Sequence, residues 1–487
     1  MPGIRFASPT GRRVLLATVL GSSVASLDAT VVNVALPRIA SDLNADVAGV
    51  QWVSNGYLLS LASLILLGGA LGDRYGRRRV YLLGVAWFAA ASLLCGAAPS
   101  IGWLVAGRVL QGVGGALLTP GSLAIIDSAF VREDRGAAVG MWSGLSGVAT
   151  AIGPFAGGWL VELSWRWAFL VNLPVAVAVV AVSLRHVPES RDPQATGRLD
   201  VLGALLGASG LALTTYGLAQ RRIPLLLGGL GVLGLFVLAE RVVPRPMLPL
   251  GIFRRRDFVG ANLVTLVVYA GIGVAFFLLG LVLQTALGYS PVAAGAAALP
   301  VTLMMLALST RAGRLAQRIG PRWPLTIGPL VVAIGLLLYL RVEPGASYTT
   351  SVLPAVLVFG AGLGLLVAPL TATVLAAADE EHAGVASGVN NAVARTAQLL
   401  AVASVPLVGR LDPGADLEAA SLLAGFHRAV MAAAVVVGLG GVIAFLTIRS
   451  NALAGPASDG GPPHDERDPC FHCGISDPPL VSTTAPR

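Results

Sequence analysis

The 487 residues are 55% hydrophobic and 12% charged, with a mean hydropathy of +0.79. Soluble domains carry about 25% charged residues, so this composition excludes an ordinary soluble protein and predicts an all-α polytopic membrane protein. The formal charge of +8 comes from 33 basic residues, all of them arginine; they are scattered over many segments rather than gathered in one patch, which argues against a nucleic-acid partner.

In chain order, Arg5, Arg12 and Arg13 precede an apolar run over 14–36. That run is long enough to cross a bilayer and others follow closely, so it is expected to be a retained first helix rather than a cleaved signal. Fourteen spans are predicted. The first six lie near 14–36, 50–70, 80–98, 103–126, 137–160 and 168–184. A polar linker over 185–200 leads to two further spans near 201–220 and 223–243, and Arg254, Arg255 and Arg256 stand in a second polar stretch. Six more spans lie near 259–284, 292–311, 324–341, 352–377, 384–409 and 426–448.

The expected plan is an N-terminal six-helix bundle over 1–184, linkers with two additional helices over 185–257, a C-terminal six-helix bundle over 258–448, and a disordered cytoplasmic tail over 449–487. Most arginines fall in segments that alternate onto one side, which places both termini in the cytoplasm of a multi-pass protein of the cell (plasma or inner) membrane. Cys95 lies in a span and Cys470 and Cys473 in the tail, so there is no disulfide framework. His464, Cys470, His472 and Cys473 crowd a segment without a surrounding fold, a poor zinc site, and no metal is expected.

Asp28 lies deep in the first span. An ionised carboxylate in the membrane interior costs about 2.5–3.5 kcal/mol on insertion scales, so it must face a polar cavity, meet a cation or hold a proton. It is therefore a candidate reversible proton site; a structural carboxylate paired with an arginine is the alternative. Gly21, Val24, Ala25, Val32 and Ala35 share its face and leave room for water, a ligand or a close neighbour. On the second span Gln51, Ser54 and Asn55, with Asn33 on the first, are candidate cavity liners.

Between spans two and three runs the loop 69–79, with four arginines in six positions. There Gly72 and Gly76 allow a sharp reversal, and Asp73 places a negative charge among Arg74, Arg77, Arg78 and Arg79. The segment 313–320 echoes this loop weakly in the last six spans, with Gln317 in place of Asp73.

On the fourth span Arg108, Gln111, Gly115, Thr119 and Ser122 share one face. A cation there needs an acceptor, and Asp28 is the best-placed buried one; snorkelling to the interface is the alternative. The fifth span carries a stripe of Gly140, Gly144, Gly147, Ala151, Pro154 and Gly158, with a kink and a close-packing surface expected over 153–158. Tyr269 and Phe276 on the ninth span, and Asn391 and Arg395 beside Ser387 and Gln398 on the thirteenth, complete the candidate liners.

Four of these stretches resemble one known family. Residues 69–78 are similar to the G-x-L-[GA]-D-R-x-G-R-[RK] loop of major facilitator superfamily transporters, and residues 108–114 to its R-x-x-Q-G-x-G motif. Residues 27–37 resemble the L-D-x-T-[IV]-[VI]-N-V-A-L-P signature of the fourteen-span drug:proton antiporter branch. The G-P-x-x-G-G at 153–158 resembles the antiporter motif of exporters.

The resemblance implies a major facilitator fold of two six-helix halves with two extra central helices, working by alternating access. It assigns proton coupling to Asp28 and Arg108. Conformational roles fall to Gly72, Asp73, Arg74, Gly76, Arg77, Gln111, Gly153, Pro154, Gly157 and Gly158. Arg395 sits where related exporters carry an arginine, but their following Gln-x-Gly is Thr396-Ala397-Gln398 here.

The function implied is proton-coupled export of small, lipophilic organic molecules such as drugs or antibiotics, by a monomer powered by the proton gradient without a cofactor. Import or uniport on the same fold is the alternative. An enzyme is not expected: His186, His382 and His427 fall at span ends, Asp28 has no acidic partner, and no phosphate-binding G-x-x-x-x-G-K-[ST] occurs.

Overall fold

The computed structural model describes residues 3–192, 199–243, 246–378 and 383–453; the expected tail, with its His and Cys residues, lies almost wholly outside them. Among the described residues there are fourteen helical spans long and apolar enough to cross a membrane. The first half consists of α1 (Pro9–Leu43), α2 (Val47–Tyr75), α3 (Arg77–Gly96), α4 (Ile101–Ala129), α5 (Arg132–Leu163), and the short α6 (Trp167–Leu170) with α7 (Asn172–His186), which together make one span. Then come α8 (Val201–Ala219) and α9 (Ile223–Val242). The second half runs through α10 (Arg256–Thr285), α11 (Pro291–Ala297) with α12 (Leu299–Ile319), α13 (Arg322–Leu338), α14 (Leu353–Ala376), α15 (Ala383–Gly409) and α16 (Ala419–Thr447).

Local chemistry sets the helix starts. Ser8 accepts from Gly11 N ahead of Pro9, Asp46 from Gly49 N, Asp200 from Gly203 N and Ser290 from Ala293 N, each satisfying a donor that the first turn leaves free. The first span is longer than its apolar run, because the helix continues through polar ends that hydropathy does not register. The loop 69–79 proves mostly helical. Gly72 is buried inside α2, and Gly76 alone, at φ +113°, makes the turn into α3.

Within the first half, α4 packs against α2 and α3, and α1 against α5 and α7; in the second, α14 packs against α12 and α13, and α16 against α10 and α13. The two extra helices pair with each other, and α8 lies against both α2 and α15, covering one seam between the halves. Trp52 and Tyr216 stack across that cover, ring centroids 6.0 Å apart.

The bundle has two unlike ends. One carries the Gly76 turn and most of the arginines; the other carries the α1–α2 and α5–α6 connections. One apolar cluster joins residues of the first half (Val31, Leu36, Val53, Phe169) to much of the core of the second. Toward the arginine-rich end the first half keeps a core of its own, around Tyr57, Tyr81, Phe88 and Ile126. The halves are fused at one end and part toward the other.

The α5–α11/α12 seam shows the same division. A Cβ on Gly158 would lie 2.5 Å from Pro291 O, and one on Gly295 would collide with Pro154 O. Gly140, Gly144 and Gly147 meet nothing within 4 Å, and Leu145, Leu303 and Leu306 are exposed. The small-residue stripe therefore packs closely only in its last third.

Candidate functional site

Asp28 is 1% exposed and forms an ion pair with Arg108, itself 1% exposed, at 2.5 Å from Nη1 to Oδ2. Gln111 Nε2 donates to Asp28 Oδ1 at 2.7 Å and Asn172 Nδ2 to the same oxygen at 3.1 Å. Ser92 Oγ accepts from Gln111 Nε2 at 2.8 Å and from Asn172 Nδ2 at 3.3 Å. Arg108 also donates to Val53 O at 2.9 Å and to Gln111 Oε1 at 2.6 Å, and its guanidinium lies 4.4 Å from the centre of the Tyr57 ring.

Each of these polar groups answers another. A buried ion pair persists only if its remaining donors and lone pairs find partners; here Val53 O of α2, Ser92 of α3, Gln111 of α4 and Asn172 of α7 supply them. Every contact to Asp28 is from a donor. Oδ1 takes two of these donors and Oδ2 one, so one of the roughly four acceptor positions of the carboxylate stays open. Arg108 would keep Val53 O and Gln111 Oε1 as acceptors, so the pair can open without stranding its cation.

The pairing of Asp28 with Arg108 is legible in the residues, as is Gln111 on the face of Arg108; the bond from Gln111 to Asp28, and the parts of Ser92 and Asn172, are not. The small face beside Asp28 is filled by a neighbour: Gly21 lies against the Tyr81 hydroxyl, which donates to Ala17 O at 2.7 Å.

Asp28 is tied to the contact between halves through its own helix. On the turn above it, Thr30 lies against Gly153 and Val31 against Gly157, where a Cβ would sit 2.9 Å from Val31 Cα. One step further along α5, Pro154 and Gly158 press on α11 of the second half. Gly280 of α10 approaches Asn33 O, and Gln284 Nε2 donates to Val34 O at 2.9 Å.

The Gly76 turn grips the chain that leaves α7. Asp73 Oδ1 binds Arg77 Nε at 2.9 Å, and its backbone carbonyl accepts Asp192 N at 2.9 Å. Arg77 N donates to Ser190 O at 2.8 Å, Glu189 Oε1 accepts Arg78 N at 3.1 Å, and a Cβ on Gly76 would lie 2.7 Å from that oxygen. Arg74 stacks on the Tyr75 ring. Glu189, in the linker, was not singled out by its sequence context. The weak echo has the same geometry: Gly320, at φ +85°, turns α12 into α13 and abuts Ser450 O, just after α16. Each half docks its tightest turn on the segment leaving its last helix.

The expected cavity liners divide. Gln51 and Asn55 are sealed in the seam, 1% and 0% exposed, and Gln51 Nε2 donates to Val402 O of α15 at 2.5 Å. They do not line an open space here, because α15 and α2 pack together at their level. Phe276 stacks edge-on against Phe359 in the second half's core. Asn33 meets Ser54 at 3.5 Å, and Asn391 is exposed and bonded to Ser387 O of its own helix. Arg395, half-buried, donates to Gln398 Oε1 of its own helix at 3.2 Å, and Tyr269 is half-buried on α10. Asn390, which donates to Asn262 at 3.1 Å and Thr265 at 2.7 Å, adds a polar cluster that the sequence did not reveal.

Comparison with known proteins places this geometry. The family model described as Major Facilitator Superfamily matches residues 18–402. The chain is 37% identical to the puromycin resistance protein of Streptomyces alboniger, over 88% of this chain and 89% of that one. It is 34% identical to the methylenomycin A resistance protein of Bacillus subtilis (83% and 89%) and 35% identical to the tetracenomycin C resistance and export protein of Streptomyces glaucescens (77% and 71%). Among solved structures, a bacterial homolog of the human lysosomal transporter Spinster, inward-facing and occupied, superposes with a TM-score of 0.68 at 16% identity, covering 93% of this chain and 100% of that one.

Proposed function

The chain belongs to the major facilitator superfamily, a transporter and not an enzyme, and from that premise we propose that it is a proton-coupled antiporter exporting small, lipophilic organic molecules of the drug or antibiotic kind. Its relatives are antibiotic resistance proteins, one of them named for export. The observation that carries the proton reading is the buried Asp28–Arg108 pair, a carboxylate held only by donors within a helix that also packs on the contact between halves.

The excess of arginines at the Gly76 end supports a cytoplasmic position for it. The described state is then closed outside and open inside. In this reading the substrate enters between the halves from the cytoplasm, near Arg395 and Tyr269. After reorientation, a proton from outside displaces Arg108 from Asp28, weakening the tie between α1 and α4. That change favours return of α1 onto Gly153 and Gly157 and closure of the outer end. The proton leaves to the cytoplasm as the ion pair re-forms. One chain carries both halves of the path, so a monomer suffices, and the partners required are the substrate, the proton and the bilayer.

Direction is tested in vesicles of opposite orientation loaded to the same pH gradient. A lipophilic reporter dye should accumulate in inverted vesicles with an acidic interior and lose that accumulation with a protonophore. Accumulation that instead requires an acidic exterior, with substrate and proton moving the same way, would make the protein a symporter.

A further inference from the structure

The two central helices carry an acidic pair that the transport mechanism does not use. Asp200 caps α8, its Oδ1 accepting Gly203 N at 2.8 Å. Glu240, in the last turn of α9 and 3% exposed, accepts Leu248 N of the connector to α10 at 2.7 Å through Oε2. This leaves Asp200 Oδ2 and Glu240 Oε1, both shielded from solvent and without a hydrogen-bond donor. The two orphaned oxygens converge on one point, the place a Cβ would take on Gly203, so only glycine admits the pair.

Two ionised carboxylates so placed repel each other. Asp200 is the one charged group acting on Glu240 among the described residues. Among the described residues neither Asp200 nor Glu240 forms an ion pair, and the adjacent Arg241 is exposed; Arg198 and Arg245 lie outside the described residues. A bound proton bridging the two oxygens would satisfy both.

We propose that Asp200 and Glu240 form a second proton-binding site, separate from Asp28, in which one shared proton latches together the feet of α8 and α9 and the connector into the second half. With the proton in place, Glu240 bridges Asp200 and Leu248 N. Its loss leaves two facing anions, and the foot of the hairpin opens. A site holding more protons folded than unfolded lends stability at low pH that is lost as pH rises. The latch lies at the arginine-rich end and thus senses pH on that side.

The test is hydrogen–deuterium exchange of the purified full-length protein, read on the peptide spanning Leu248, in wild type and in Glu240→Gln at matched pH. Glutamine donates to Asp200 without a titrating proton, so it fixes the latched state. Near neutral pH the two proteins should exchange alike; at about two pH units higher, wild type should exchange ~tenfold faster, a change of about 1.4 kcal/mol in local opening. Asp200→Asn, which preserves the helix cap, should flatten the same profile. A wild-type ratio that does not change with pH, or variants that keep the wild-type profile, would overturn the latch. Neither result depends on whether the protein exports anything.

Discussion

Asp28 and Arg108 depend on each other unequally. Removing one partner of a buried ion pair costs about 3–5 kcal/mol because the other charge is left uncompensated. Arg108→Gln strands the Asp28 carboxylate with only Gln111 and Asn172 as donors, whereas Asp28→Asn leaves Arg108 its bonds to Val53 O and Gln111 Oε1. Arg108→Gln should therefore lower the melting temperature more than Asp28→Asn. The double variant should be more stable than the sum of the two losses predicts; strict additivity in a thermal-melt series would contradict the pairing. The carboxylate and its cation were legible because a charge within some twenty apolar residues is costly and must be answered. Ser92 and Asn172 were not. A neutral polar residue in a span is unremarkable until the packing of α3 and α7 brings it to the carboxylate.

The glycines of α5 and the two tight turns act at the level of elements. The sequence showed one continuous stripe from Gly140 to Gly158, but periodicity cannot say which part faces a partner, since that depends on which end of the bundle is closed. A methyl group on Gly158 would meet Pro291 O, while one on Gly144 meets open space. Gly158→Ala should shift the population toward a state open at the far end, raising thiol labelling of a cysteine placed near Asn33; Gly144→Ala should leave labelling unchanged in this state. Equal effects from both would remove the seam from the account.

At Gly76, alanine meets both a positive φ and the Glu189 carboxylate. Left-handed backbone costs a non-glycine residue about 1–2 kcal/mol. Glu189→Ala should relieve the steric part but not the backbone part, so melting temperatures should rank wild type above the double variant and the double variant above Gly76→Ala. Sequence marked the turn's glycine and arginines but not Glu189, which lies beyond the span in a linker without a periodic signal.

For the whole molecule, hydropathy revealed fourteen spans because burial in lipid demands long apolar helices whatever the topology. It could not show that α8 covers the α2–α15 seam, or that one end is fused and the other parted. Those features rest on side-chain packing between segments far apart in the chain. With one exchangeable proton at Asp28, exchange for a monovalent cation moves no net charge, while export of a neutral molecule moves one. Each charge crossing 100 mV is worth about 2.3 kcal/mol. Currents on solid-supported membranes should thus appear with a neutral substrate and vanish with a monovalent cationic one; equal currents from both would require a different proton count.

The central claim, that Asp28 carries the coupled proton, is tested most directly by efflux of a panel of lipophilic dyes from vesicles under an imposed pH gradient, comparing wild type with Asp28→Asn. The account predicts gradient-driven export by wild type and none by Asp28→Asn, with both proteins inserted and folded to the same extent. Equal export by the variant would contradict it and leave Asp28 as a structural partner of Arg108.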